Sequence, residues 1–233
     1  MLFSTMAVCS AHHRVQHLHK VLIEALSRHA GIQLHQGKPK TSNQAGIVPE
    51  NVENLGPHAW QPEGITVLGT PIGSPQYIER KMDERNSKER ELWMAIPTVP
   101  DLQCAWQLLV QSANPRANHT MRTMPPSQSA VYSRAHDAGI WHTARELLGD
   151  IPSDREAEAQ QLSTLPMRMG GLGLRSAERL APAAFWASWA DALAMISARS
   201  PEIASEVVRR LDADERTPRC VCGTGQETVS VAT

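Results

Sequence analysis

Cysteine is scarce, an excess of positive charge is missing, and no long apolar run occurs. Each shortfall closes off a class of protein. Four cysteines (Cys9, Cys104, Cys220, Cys222) in 233 residues are too few for a secreted disulfide scaffold of this size. An intracellular setting, cytoplasmic or nuclear, is therefore expected. Lys and Arg number 23 against 24 Asp and Glu, a formal net charge of -1. That balance disfavours a stand-alone nucleic-acid binder, because affinity for phosphate comes mainly from positive charge. Any such site must be a local patch. The first ten residues are apolar but short, and they run into His12-His13-Arg14. They suit neither a membrane span nor a signal peptide, so no membrane partner is expected. Aromatic residues make up 4% and hydrophobic residues 41% of the chain. This composition implies a chain folded in its middle and looser at its ends. No aspartate occurs before Asp83.

What is present organises around residues 31–73, and above all around Gly64-Ile-Thr-Val-Leu-Gly-Thr-Pro-Ile-Gly73. Ile65, Val67 and Ile72 are β-branched and favour extended chain. Gly69 sits inside the apolar run, where it marks a bulge or a close backbone approach. Ser74-Pro75 reads as the N-cap and first residue of a helix. The plain alternative is an ordinary turn before a helix.

Taken in order, residues 1–8 read as a strand. Ser10 caps a helix to Ala30, whose apolar face holds Val15, Leu18, Leu22, Ala25, Leu26 and His29. His13 and His17 share a face of it, but no acid or thiol joins them at metal-site spacing. Residues 32–35 alternate like a strand edge, and 41–63 form a long connection. A charged helix follows from Pro75 to about Trp93, with Ile78, Met82, Leu92 and Trp93 as its apolar side and its charges on a solvated face. Pro97 and Pro100 break the chain. Asp101 caps a short helix with a buried stripe of Leu102, Ala105, Trp106 and Leu109. Residues 114–126 read as a loop. A helix from Ser127 is interrupted at Gly139 and ended by Gly149. Ser153 caps a helix to about Leu165, and 166–173 form a Gly-rich bend. This bend is no phosphate loop, since it lacks the following Lys-Ser/Thr and the preceding strand. Its glycines instead allow close packing around a tight turn. A helix over 176–197 carries Ala177, Leu180, Ala181, Ala184, Trp189 and Leu193, with Pro182 as a point of kinking or division. A polar helix closes the fold over 201–211, and the tail from Asp212 is expected to be disordered. Cys220-Val-Cys222 offers two thiolates where a structural zinc needs four ligands. The fold class is thus mainly α with a small β element.

Several short motifs follow one another in a telling order. They are Gly31-Ile-Gln-Leu-His-Gln-Gly-Lys-Pro-Lys-Thr-Ser-Asn43, the Leu68-Gly69 run, Leu102-Gln-Cys-Ala-Trp106, Met124-Pro-Pro-Ser-Gln-Ser129 and Leu165-Pro-Met-Arg-Met-Gly-Gly-Leu-Gly-Leu-Arg-Ser176. Together, over residues 8–196, they resemble the C-terminal half of a reverse transcriptase (an RNA-directed DNA polymerase) of a non-LTR, LINE-type retrotransposon. The run from Leu34 to Lys38 is similar to the family's fourth palm motif, Leu-Asn-x-x-Lys-Thr. Pro39 stands here in place of the Thr. The Leu68-Gly69 run is similar to its primer-grip hairpin.

The resemblance implies a palm remnant with a primer-grip-like hairpin over 1–73. It implies a thumb-like helical region over 74–149 and a C-terminal helical region over 150–211, ahead of the 212–233 tail. It makes Lys38, Lys40, Leu68 and Gly69 the candidate nucleic-acid-binding residues and a primer-template of RNA or DNA the candidate partner. The plain reading makes both lysines loop residues and Leu68 core. A polymerase of this family holds two Mg²⁺ on palm aspartates. Aligned on Val8-Cys9-Ser10 and Arg14-Val15, the Asp-Asp pair falls on Phe3-Ser4, which cannot hold divalent cations. The other essential Asp and the fingers are expected upstream of Met1. No catalytic residue, no metal site and no cofactor are therefore expected in this fragment, although Mg serves the full-length family. Three other readings stay open: a non-catalytic nucleic-acid-binding module, a helical interaction scaffold suggested by Trp186 and Trp189, and a decayed reading frame.

Overall fold

A computed structural model describes residues 59–149 and 151–213, with Val21, Glu24, Ala25, 27–29, Lys40, Ser42 and Val48 as isolated positions. Among those positions, Val21, Glu24, Ala25 and 27–29 are helical, within the helix expected over 10–30. Ala25 and His29, expected on its apolar face, are exposed. The expected strands at 1–8 and 32–35, the histidine pair, the Cys220-Val-Cys222 pair and the tail beyond Ala213 lie outside the described residues, while Asp212 and Ala213, expected in that tail, are the last residues of a helix. The described chain is mainly helical with one two-stranded antiparallel sheet. It divides into two compact units, Met1–Arg85 and Asn86–Thr233.

In the first unit, strands β1 (Gly64–Val67) and β2 (Thr70–Gly73) pair with Ile65 opposite Ile72 and Thr66 opposite Pro71. Only Leu68 and Gly69 join them, with φ of 49° and 84°. Two successive positive φ values define a type I′ turn, whose twist matches that of the flanking strands. Gly69 is thus a turn residue and marks no bulge within a strand. With Val67 and Thr70 as the pair closing the turn, Pro71 falls at a non-hydrogen-bonded position, where its missing N–H costs no ladder bond. Helix α1 (Pro75–Ala95) follows at once. The Tyr77 N–H donates to Ser74 Oγ at 3.2 Å, so Ser74 is the N-cap, as its sequence position requires.

The second unit takes in the rest of α1 and everything after it. Its core joins Trp93, Ile96, Ala105, Leu109, Ala113, Ile140, Trp141, Ala144 and Leu174. Asp101 caps α2 (Leu102–Leu108), accepting from the Cys104 N–H at 2.7 Å. Leu102, expected in the buried stripe, is exposed, and Leu109 falls in a π-helical segment, Leu109–Ala113. The expected loop over 114–126 is largely helical. A 3₁₀ turn (Asn114–Ala117) runs into α3 (Asn118–Thr123), and only Met124-Pro125 is extended. Local propensity misleads here because Ala117, Thr120 and Met121 are buried and α3 packs on α6, described below.

Helix α4 (Pro126–Leu148) is not interrupted at Gly139. Helix α5 spans Glu156–Ser163, and its N-cap is Arg155 with no side-chain cap, so Ser153 does not serve as the cap. The glycine-rich bend folds back onto the end of α5. The Gly173 N–H donates to the Leu165 carbonyl at 2.9 Å, and a Cβ on Gly171 would lie 2.1 Å from that same oxygen. Helix α6 (Ala177–Arg199), capped by Ser176, runs through Pro182 without division, at the cost of one intrahelical hydrogen bond. It buries Ala177, Ala181 and Phe185, while Leu180 is exposed. Helix α7 (Pro201–Ala213) packs on α6.

Candidate functional site

The hairpin turn is the described part of the expected binding surface. Its geometry starts from a conformational mismatch. Leucine at φ 49° is in the left-handed region, which costs an L-residue roughly 1–2 kcal/mol. Nothing packs Leu68 in return, since it is 81% exposed. The reading of Leu68 as core therefore fails. A large apolar side chain stands in water at the tip of a tight hairpin. Ile72, on the same strand face as Ile65, is also exposed. Beneath the hairpin, Thr66 Oγ1 and the Tyr77 hydroxyl share a hydrogen bond of 3.0 Å, which ties β1 to the first turn of α1.

Three cations of α1 flank this hairpin, and each is occupied. Arg80 and Lys81 lie 5.4 and 5.8 Å from the Tyr77 ring centroid. Arg80 donates to Glu63 Oε2 at 2.6 Å, and this hydrogen bond is the main reason its guanidinium holds its proton more firmly than usual. Lys81 pairs with Glu84 at 2.7 Å. Arg85 reaches back to donate to the Gly69 carbonyl at 3.3 Å. The guanidinium steadies the turn from behind. Exposed pairs of this kind contribute about 0–1 kcal/mol each and are screened by salt. A phosphate approaching this face must displace Glu63 or Glu84 to gain a cation.

Lys40 is exposed and lies in irregular chain. Among the described residues, no hydrogen bond or ion pair joins it to Leu68 or Gly69. Lys38 and its motif lie outside the described residues. Of the four expected binding residues, the structure brings two together, Leu68 and Gly69. Among the described residues, no group of three or more His, Cys, Asp or Glu could hold a metal ion, and no helix is long and apolar enough to cross a membrane.

The second unit holds a polar cluster that the charge pattern conceals. Glu89 looks like one more member of the solvated face of α1, yet its side chain is 5% exposed. The Tyr132 hydroxyl donates to Glu89 Oε1 at 2.9 Å, and His136 Nδ1 meets Glu89 Oε2 at 2.9 Å. His136 Nε2 lies 3.2 Å from the Asn114 carbonyl oxygen. Tyr132 and His136 are four apart on α4, with Ser129 and Ser133 alongside. That polar stripe at helical spacing is the signal by which the cluster could have been found. Comparison with protein-family models, with curated proteins and with solved structures finds no match for this chain.

Proposed function

We propose that the chain is a truncated, reverse-transcriptase-like fragment of retrotransposon origin. On this reading it carries a primer-grip-like hairpin and thumb-like helices without the catalytic aspartates, and its parent activity is RNA-directed DNA synthesis. One observation supports the reading most. The two-residue turn presents exposed Leu68 at its tip, a few residues ahead of a Ser74-capped helix. The resemblance implies that order of parts for a hairpin that grips a polymer strand. Base and sugar faces are apolar enough for a leucine to bear on. Phe3 and Ser4 stand where paired acids belong, so two Mg²⁺ ions have no ligands there. The purified chain is expected to make no DNA on a primed RNA template with Mg²⁺ supplied. Metal-dependent extension of the primer would overturn the proposal.

Without catalysis, the part left to this chain is nucleic-acid binding. Gel-shift binding of a primer-template at low salt, weakening as salt rises, is the expected result. Because the flanking cations are already paired with acids, the salt slope should be shallow. Absence of binding at low salt would remove this role.

A helical interaction scaffold is the second reading, and the C-terminal helices favour it. Trp186 on α6 is 36% exposed, and Trp186 and Trp189 each lie edge-on to Phe185, at 6.4 and 6.2 Å. A homo-oligomer in sizing chromatography that Trp186→Ala dissociates would carry that reading, and a monomer at all concentrations would remove it.

A further inference from the structure

We propose that two copies of this chain pair through the open face of α6, antiparallel about a two-fold axis, with Trp186 of each copy seated on Ala190 of the other. The pairing rests on the scaffold reading above and specifies how the copies meet. A helix that is apolar on every side is normally covered on every side. From Leu180 to Ala198, α6 carries one charged residue, Asp191, and that acid pairs with Arg122 at 3.7 Å. Helices α3, α4 and α7 pack on α6, and its buried residues, Ala177, Ala181 and Phe185, share one side. On the opposite side Ala183, Trp186, Ala187, Ala190, Ala194 and Ser197 follow at three- and four-residue spacing, and all six are exposed.

Charge decides what can cover this face. Between its ends it offers no cation to a phosphate chain. A helix that lies on a membrane surface carries Lys and Arg along its flank, where α6 has Asp191. A second copy sets one uncharged face on another. At the ends, exposed Arg175 and Arg179 flank the N-terminal limit of the face, and exposed Glu202 stands just past its C-terminal limit. Antiparallel pairing brings the cationic end of each copy to Glu202 of the other and aligns the helix dipoles favourably. Parallel pairing sets like charges together. Arg199 takes no part, since it stands about two and a half turns beyond Ala190, on the far side of the helix.

Side-chain size decides the register. With Trp186 over Ala190 of the second copy, Ala183 meets the half-buried Leu193 and Arg179 meets Ser197. The two-fold axis repeats each pair, so the interface closes on itself. Every layer sets a large side chain on a small one, which lets two helices interdigitate. A parallel pair would set Trp186 on Trp186 and hold the facing alanines apart. A face about 27 Å long and about 10 Å wide covers well under the roughly 800 Å² per partner of a standard interface, so micromolar association is expected.

The test is sedimentation equilibrium of the full chain over micromolar concentrations, with three variants beside the wild type. The wild type should dimerise. Trp186→Ala should weaken the dimer about tenfold or more, because the seated ring is gone. Ala190→Trp should weaken it by a similar factor, because Trp would then meet Trp. The double variant, Trp186→Ala with Ala190→Trp, exchanges large for small in that layer and should restore the dimer to within about threefold of wild type. A wild type that stays monomeric would overturn the pairing and the scaffold reading together. A dimer that forms but is not restored in the double variant would overturn the pairing alone. Should a variant fail to fold, cross-linking decides the matter. With the four native cysteines replaced by serine, a mixture of Ala183→Cys and Ala194→Cys chains should form the mixed disulfide, and neither chain alone should link to itself. Self-linking, or no mixed disulfide, would overturn the antiparallel pairing.

Discussion

Gly139 lies directly beneath the indole of Trp93. A Cβ built at Gly139 would meet Cε3 of that ring at 2.3 Å and Cζ3 at 2.4 Å. The glycine that reads in the sequence as a break in α4 is where the Trp93 ring packs against that helix, and α4 runs through it. In an open helix, Gly→Ala stabilises by about 1 kcal/mol. Here the new methyl must displace a rigid, buried ring, and overpacking of a core costs about 1–3 kcal/mol. The second effect should win, so Gly139→Ala should lower the unfolding midpoint in urea. A raised midpoint would show that the Trp93 ring can shift at little cost.

The turn allows stability and binding to be separated. Asn tolerates the left-handed region far better than Leu, and Asn-Gly is the preferred pair for this turn type. Leu68→Asn should therefore stabilise the hairpin by about 1 kcal/mol. If Leu68 bears on nucleic acid, the same variant should bind a primer-template more weakly. Stabilisation with unchanged affinity would take Leu68 out of the binding surface. Loss of stability would mean that the turn geometry itself is misjudged.

Asp101 and Cys104 answer to each other. The Cys104 N–H donates to the Asp101 carboxylate and holds it below the usual carboxylate range, while hydrogen bonding to Asp101 and its negative charge push the Cys104 thiol up. A depressed carboxylate contributes stability that is present above its unfolded value and is lost as pH falls through its folded value. The stability gap between wild type and Asp101→Ala should therefore be full at neutral pH and shrink in strong acid. At neutral pH, Asp101→Asn should speed alkylation at Cys104, read by peptide mapping so that the other three thiols do not confuse the result. An unchanged alkylation rate would break the proposed link.

The punctuation of this fold is readable in the sequence, and the tertiary use of polar residues much less so. Ser74 and Asp101 each cap the helix expected of them, because a cap depends on residues within one turn, whereas Ser153 does not cap its helix and Ser176, expected as the first residue of α6, is its cap. The hairpin is legible for the same reason, although Gly69 reads as a bulge when its neighbour Leu68 supplies the other half of a turn. Residues 114–123 read as loop because Asn, Pro and Arg signal one locally. What makes them helical is the burial of Ala117, Thr120 and Met121; their i, i+3, i+4 spacing is the helical one, but with one small and one polar member its apolar signal is weaker than the loop signals around it. Glu89 is hidden among the many charged residues of one helix, although it stands seven residues after Met82 and four before Trp93, on the apolar side of that helix, and the partner helix supplies the groups that meet it. Of the binding surface, the turn is legible, but not that acids already occupy the cations beside it. Pairs such as Arg80–Glu63 form across 17 residues of chain.

Asn114 joins two parts of the second unit that are far apart in sequence. Its amide nitrogen donates to the Arg175 carbonyl at 2.9 Å, and its amide oxygen accepts from the Arg175 N–H at 3.0 Å. A side chain thus takes the place of a neighbouring strand, and it fixes the chain just ahead of the α6 N-cap. Asn114→Ala leaves both Arg175 groups without partners in a partly buried place, at about 1–3 kcal/mol for each unmet group. A loss of about 2–4 kcal/mol is expected in denaturant unfolding, and amide exchange at Arg175 should rise more than about tenfold. Asn114→Asp is the sharper test, because it has almost the same shape. It keeps the bond from the Arg175 N–H but sets a carboxylate oxygen against the Arg175 carbonyl, two acceptors with no proton between them. It should destabilise at least as much as Asn114→Ala. If Asn114→Asp were tolerated with a loss well below that of Asn114→Ala, shape at this position would matter more than the two-way hydrogen bonding.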